Sequence, residues 1–107
     1  MANSFKNAGI AVLDTRTPLY GPVPVDTAAV IHALYISNVG SAPANVDIEI
    51  TVDGGTTYRY IGKGLSVPED STLVLDKPIN LEAEDKLELT ASAVGHIEAV
   101  CAVLEID

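Results

Sequence analysis

The sequence predicts an all-β protein, an antiparallel β-sandwich or jelly roll of about eight short strands. Three observations favour this fold class. One segment alternates apolar and polar residues without a fault, similar short segments recur between turn residues, and no segment longer than one turn has a helical pattern. With 107 residues, 48% of them hydrophobic, residues 1–107 can fold as a single domain with one core.

The first third of the chain contains a short strand, a proline-rich segment and a long apolar strand. The first strand is predicted around Gly9–Asp14, with Phe5 as its earliest start, so residues 1–8 are a candidate N-terminal arm. Prolines recur through residues 17–25, and proline lacks the amide donor that a sheet needs. This segment is therefore expected at a sheet edge or as an arm. A long strand is predicted over Ala28–Val39.

The alternating segment and the turn after it predict a hairpin. Within Ala44–Val52, valine or isoleucine occupies every second position from Val46 onwards, and the residues between them are Asp47, Glu49 and Thr51. A period of two places one face in the core and the other in water, which is typical of an antiparallel strand. Asp53-Gly54-Gly55 predicts the turn, because glycine tolerates positive φ, and Thr56–Ile61 is the returning strand.

Glycine and proline divide the rest of the chain into shorter strands. Gly62-Lys63-Gly64 is expected to loosen the backbone. Residues 79–85 contain the helix-like stretch, which is too short for more than one turn. The remaining predicted strands are Leu65–Val67, Ser71–Leu75, Lys86–Ala93 and Ile97–Ile106.

Two strands are apolar on both faces, namely Ala28–Ile36 and Ala99–Leu104. A two-layer sandwich buries only one face of each sheet, so a strand without a polar face needs a second cover. The cover could be the proline-rich segment, the N-terminal segment or another subunit, and we favour another subunit because closed symmetric oligomers are common. The candidate interface residues are Tyr20, Val23, Val30, His32, Leu34, Val100, Ala102 and Leu104.

Charge and cysteine content exclude several classes of protein. The net charge is −9, from 15 acidic and 6 basic side chains, which argues against partners such as nucleic acid and anionic membranes. The single cysteine excludes an intrachain disulfide, and this suits assembly in a reducing cytoplasm. We expect no signal peptide and no membrane span, because the apolar runs are too short.

No catalytic set can be assembled from the residues, so we expect no enzyme, no cofactor and no metal site. His32 and His96 lack a ligand spacing, and Cys101 lies in an apolar run without an activating base. The acidic cluster of Glu82, Glu84 and Asp85 could supply calcium ligands, but the spacing is not that of an EF-hand.

One alternative function rests on aromatic residues. Tyr58 and Tyr60 are two positions apart on one strand, and Tyr20 lies in the proline-rich segment. Such a pair could stack a sugar, which would make the chain a glycan or cell-surface binding module. Packing between strands is the commoner role of such a pair, and the chain contains no tryptophan.

Several segments together resemble a known family. They are the proline-rich run 17–24, the strand end Tyr35-Ile36-Ser37-Asn38, the segment 67–73 and the segment 81–87. Comparable segments ("tVPagtt", "isNt" and "L.aGD.l.v.as") occur in small β-sandwich structural proteins of tailed bacteriophage virions. One departure is Glu84, where that pattern has glycine. A turn that needs positive φ would be strained there, so we expect this loop to differ.

The resemblance implies a structural role. Members of such families decorate or cement capsids, often as trimers, or belong to the neck or tail. It therefore implies a non-enzymatic virion protein that is assembled in the bacterial host cytoplasm. The expected partners are the chain itself, with a trimer favoured, and the major capsid protein or another virion protein.

Overall fold

The computed structural model describes residues 3–107, and these residues form β-strands, turns and loops with no helix. None of the described residues therefore belongs to a helix that could cross a membrane. The nine strands of this part of the chain are β1 (Asn3–Val12), β2 (Thr17–Tyr20), β3 (Ala28–Asn38), β4 (Ala44–Val52), β5 (Thr57–Val67), β6 (Thr72–Leu75), β7 (Ile79–Leu81), β8 (Leu87–Ala91) and β9 (Ile97–Ile106).

The strands form two antiparallel sheets. Sheet A has the order β1-β9-β3-β6, and β7 also pairs with β3. Sheet B has the order β2-β8-β4-β5. β6 and β7 lie end to end along one side of β3, so the nine strands occupy the eight positions of a jelly roll. The predicted fold class is confirmed.

The core lies between the two sheets and is aliphatic. Each strand contributes alternate side chains to it, and full burial of one such side chain is worth about 1.5–3 kcal/mol. The largest fully buried side chains include Ile31, Leu34, Ile36, Ile48, Leu81, Leu87, Leu89 and Ile97.

The strand bounds agree with the prediction for two of the long strands. β4 and β9 have the predicted bounds. β1 begins earlier than Phe5, because residues 3–12 pair with residues 106–97 of β9 along their whole length. Residues 3–8 of the candidate arm are therefore part of a sheet, and Met1 and Ala2 lie outside the described residues.

β5 is longer than predicted because the chain passes through Gly62-Lys63-Gly64 without leaving the sheet. The register against β4 shifts on both sides of Ile48, which marks a bulge. Gly64 has a φ of 64°, and its amide donates a hydrogen bond to the Asp47 carboxylate at 2.7 Å. The separate strand predicted at Leu65–Val67 is thus the end of β5, and the helix-like stretch is β7 followed by a turn.

The proline-rich segment begins with β2, which forms one edge of sheet B. Its register against β8 shifts between Pro18 and Tyr20. After the cis Gly21–Pro22 bond, the Val23 amide donates to the Asp85 carbonyl oxygen at 3.0 Å. Because β2 lies at an edge, the missing proline amide does not interrupt a central ladder.

Candidate assembly surface

The two strands predicted to be apolar on both faces are neighbours at the centre of sheet A. Val100 of β9 lies between Gly9 of β1 and Tyr35 of β3, and Leu104 lies between Phe5 and Val30. Paired residues of antiparallel strands share a face of the sheet. These side chains therefore form continuous rows on the side away from the core, which we call the outer face of sheet A.

The outer face of sheet A exposes large hydrophobic side chains and very little charge. In the described part of the chain, Glu98 is the one charged strand residue whose register places it on this face. A contiguous exposed apolar surface of this kind marks a contact site or an aggregation hazard. Its large exposed side chains are Phe5 (79%), Val74 (49%), Val100 (47%), Tyr35 (43%) and Ile106 (37%).

A bulge in β3 decides which predicted interface residues reach this face. The register against β9 shifts between Ile31 and Ala33, so His32 is an extra residue in the ladder. Val30 and His32 are accessible on the outer face, whereas Leu34 is fully buried in the core. The sequence period placed these three residues on one face, and the bulge moves Leu34 to the other.

The other predicted interface residues also divide between surface and core. Val100, Ala102 and Leu104 lie on the outer face, and Val23 is buried in the core. The sequence missed Phe5 and Val74, because their strands reach this face only through pairing with β9 and β3. The exposed phenyl ring of Phe5 stacks on the His32 imidazole with 6.4 Å between ring centroids.

Tyr20 lies at one end of the sandwich, between the sheets rather than on the outer face. Its hydroxyl donates a hydrogen bond to the Glu105 carboxylate, which also pairs with the Lys6 ammonium at 2.9 Å. Burial, assisted by the hydrogen bond to Glu105, raises the pKa of Tyr20 far above its usual value. The hydrogen bonds from Tyr20 and Lys6 lower the pKa of Glu105.

Neither of the predicted intrachain covers lies over the outer face of sheet A. The proline-rich segment runs along sheet B, and its Val23 side chain enters the core. The N-terminal segment is β1, which lies beside β9 in the plane of the sheet rather than above it. Within residues 3–107 the outer face therefore remains open to a partner.

The outer face of sheet B is polar and internally paired. Two nitrogens of Arg16 donate to the two carboxylate oxygens of Glu49, both at 3.1 Å, and this contact raises the pKa of Arg16. The guanidinium carbon of Arg16 lies 3.7 Å from the centre of the Tyr58 ring. The Tyr58 hydroxyl donates to Glu88 at 3.1 Å, and Lys86 lies 3.7 Å from the same carboxylate. Arg16 thus covers a ring face that a sugar would need.

The acidic loop after β7 is held together by Asp85. The Asp85 carboxylate accepts hydrogen bonds from the Gly55 amide at 3.0 Å and the Glu82 amide at 3.2 Å. Its side chain is buried, so it joins the β4–β5 turn to this loop. In the described residues no group of three or more potential ligands could hold a metal ion.

Glu84 adopts a positive φ, a conformation that glycine tolerates better than any other residue. Its φ is 74°, and its amide donates to the Val23 carbonyl oxygen at 2.8 Å. The turn therefore has this geometry with a glutamate in place. The backbone strain that results is stored in an exposed residue.

The remaining candidate side chains are packed rather than reactive. Burial raises the pKa of the Cys101 thiol to about 11. His96 packs its imidazole against Gly40, and its Nδ1 is buried. A reactive thiol or a catalytic base would need access to solvent and an activating neighbour.

No protein-family profile matches the chain, and no curated protein sequence matches it. Solved structures resemble it at low identity. One is described under the heading "Bacillus endospore appendages form a novel family of disulfide-linked pili", with a TM-score of 0.52 and 13% identity over 97% of this chain and 85% of that chain.

Two viral structures are also similar. They are infectious bursal disease virus strains Gt and Gx, with TM-scores of 0.49 and 0.45 and identities of 13% and 10%. The alignments cover 99% and 96% of this chain but 31% and 28% of the viral chains. The likeness to the pilus protein shows a shared fold, and none of these three structures is a phage protein.

Proposed function

We propose that this chain is a non-enzymatic structural subunit of a bacteriophage virion, a capsid decoration or cement protein that self-associates and docks on the shell. The observation that carries the proposal is the open, apolar outer face of sheet A. The segments that resemble phage virion proteins supply the class of assembly. A neck or tail component would use the same surface in the same class of particle.

Charge supports a second copy as the first partner on the outer face. With a net charge of −9, two copies repel each other on most approaches. The outer face is the exception, because Glu98 is its one charged strand residue in the described part of the chain. Contact through this face buries apolar surface and brings few carboxylates together. The resemblance implies that the closed symmetric oligomer of this chain is a trimer.

The contact would be non-covalent. The pilus proteins of similar fold are described as disulfide-linked. This chain has one cysteine, and its thiol is fully buried between the sheets. Packing of apolar side chains therefore has to supply the association energy. The glycan-binding alternative loses its main support, since Arg16 covers the Tyr58 ring.

The first test measures the molar mass in solution by light scattering over a concentration series. We expect wild-type protein to associate, and we expect Val74→Lys to shift the dissociation constant at least tenfold towards monomer. Val94→Lys is the matched control, because Val94 is also an exposed valine (58% against 49% for Val74) but lies in the β8–β9 loop. Equal masses for the two variants would contradict a contact through the outer face.

The second test addresses docking. Purified protein is mixed with shells assembled from the capsid protein of the same genome, and the shells are sedimented. We expect saturable binding of wild-type protein. A protein that remains monomeric at micromolar concentration and does not sediment with shells would refute the proposed function.

A further inference from the structure

The sandwich has four sheet edges, and three of them carry features that discourage pairing with another strand. β2 contains Pro18 and is followed by Pro22. β6 and β7 have four and three residues, with Pro78 between them. β5 is bulged near Gly64, and Lys63 lies beside the bulge. Prolines, very short strands, bulges and lysines are the devices by which proteins protect sheet edges.

The fourth edge, that of β1, carries fewer of these devices, because it has no proline and no bulge and is ten residues long. Its ten residues pair with ten consecutive residues of β9 without a register shift, and they include no proline. Lys6 is its one charged residue, and Glu105 holds the ammonium at 2.9 Å on the core side of the sheet. No strand of the described residues pairs with the other side of β1. A long edge without proline or bulge, whose one lysine is held by a carboxylate, can act as a template for another strand.

The sequence of β1 is suited to pairing with itself. Residues that face each other across antiparallel strands share a sheet face. A two-fold axis between two β1 strands must therefore lie midway between the two copies of one residue, which then face each other. An axis at Lys6 would oppose two ammonium groups. An axis at Ala8 would require Val12 to pair with the second copy. The chain already turns to sheet B there, since the Leu13 carbonyl accepts a hydrogen bond from the Ala91 amide.

An axis at Asn7 avoids both problems. We infer that β1 pairs antiparallel with β1 of a second copy about a two-fold axis at Asn7. Phe5 of each copy then lies opposite Gly9 of the other, and an aromatic ring across from a glycine is a favourable cross-strand pair. Gly9 lies beside Val100, because a Cβ built on Gly9 would be 3.4 Å from a Val100 methyl group. An incoming Phe5 ring that leaves its stack on His32 would therefore cover both residues.

This contact deepens the proposed function, on which it rests, by naming a surface other than the outer face through which two copies associate. A two-fold contact joins copies in pairs, so a trimer would close through a different surface. Two A sheets become one continuous sheet, and their outer faces lie on the same side. The exposed Phe5 ring, at 79% the most exposed large hydrophobic side chain of the described residues, becomes covered.

Disulfide trapping of Asn7→Cys tests the register. Residues that face each other across an antiparallel pair have Cα atoms about 4.5–5.5 Å apart, within reach of a disulfide. We expect mild oxidation to yield a linked dimer on a non-reducing gel. Ala11→Cys is the control on the same strand and face, because its own counterpart would be about 26 Å away. The buried Cys101 does not compete. Equal linkage of both variants, or none, would overturn the inference.

A charge test separates this inference from the proposed function. Asn7→Lys places two ammonium groups opposite each other, so we expect at least tenfold weaker association at low salt, with recovery at high salt. Ala11→Lys adds the same charge to the same face of β1 but places no two ammonium groups opposite each other, so it should weaken association less than Asn7→Lys. If Val74→Lys dissociates the assembly and Asn7→Lys does not, the edge contact is refuted and the proposed function stands. If Asn7→Cys forms the linked dimer but the protein does not bind shells, the edge contact stands and the proposed function is refuted.

Discussion

Glu84→Gly should stabilise the protein, although it removes a side chain. Glu84 has a φ of 74° in the turn before β8, and its exposed carboxylate takes part in no described contact. The backbone of the turn is fixed by the hydrogen bond from its amide to Val23. Its carbonyl oxygen is also packed closely, because a Cβ on Gly55 would lie 2.5 Å from it. The turn therefore cannot relax to a negative φ.

The size of the effect follows from two opposing terms. A residue other than glycine in the left-handed region costs roughly 1–2 kcal/mol. A glycine raises the entropy of the unfolded chain, which costs about 0.4–1 kcal/mol. The difference predicts a gain of about 0.5–1 kcal/mol in the free energy of unfolding. In a domain of this size that gain raises the melting temperature by about 4 °C.

Glu82→Gly is the matched control. Glu82 is an exposed glutamate of the same loop, but it does not have a positive φ. Its replacement by glycine removes the same charge and raises the entropy of the unfolded chain, but it relieves no strain. We therefore expect the free energy of unfolding to fall by about 0.4–1 kcal/mol. Circular dichroism during heating measures both variants. Equal destabilisation of the two would show that Glu84 is not strained and would refute the reasoning.

Three further predictions concern buried groups. Asp85→Ala leaves two backbone amides without an acceptor and should cost about 2–4 kcal/mol in urea unfolding, whereas the exposed control Asp76→Ala should change little. The pKa of Cys101 is raised to about 11, so a disulfide reagent should label it at pH 8 only as the protein unfolds, and fast labelling of native protein would contradict its burial. The hydrogen bond from Tyr20 lowers the pKa of Glu105 in the folded state. The Glu105 carboxylate should therefore contribute fully to stability above about pH 4.5, and this contribution should be lost as the pH falls through the lower folded-state pKa. Glu105→Gln should flatten that part of the urea midpoint curve, and an unchanged curve would contradict the assignment.

The sequence predicts the fold well wherever its period of two is unbroken. Ala44–Val52 was predictable to the residue because one buried face imposes strict alternation, and Ile97–Ile106 was predictable because the turn at Gly95 precedes it. The same rule fails in β3, which is apolar on both faces. Its sequence pattern therefore does not reveal the bulge at His32. A single extra residue then moves Leu34 from the predicted surface into the core.

The assembly surface was predictable only in part. The doubly apolar strands identify β3 and β9, but not that they are neighbours, because pairing between distant segments leaves no trace in a single sequence. Phe5 and Val74 join the surface through that pairing alone. The turn at Glu84 shows the converse limit, because the surrounding contacts hold a backbone conformation that the local residue disfavours.

The pairing of the first and last strands has a mechanical consequence. Asn3 lies opposite Ile106 at one end of the ladder, and Val12 lies opposite Ile97 at the other. A force that pulls Asn3 and Ile106 apart therefore breaks the β1–β9 hydrogen-bonded pairs one after another from that end. It does not shear all of the pairs at once. Peptides fused at these two positions would emerge side by side from the same corner of the sandwich. Such a subunit resists tension best when it is held by its faces and edges rather than by its ends.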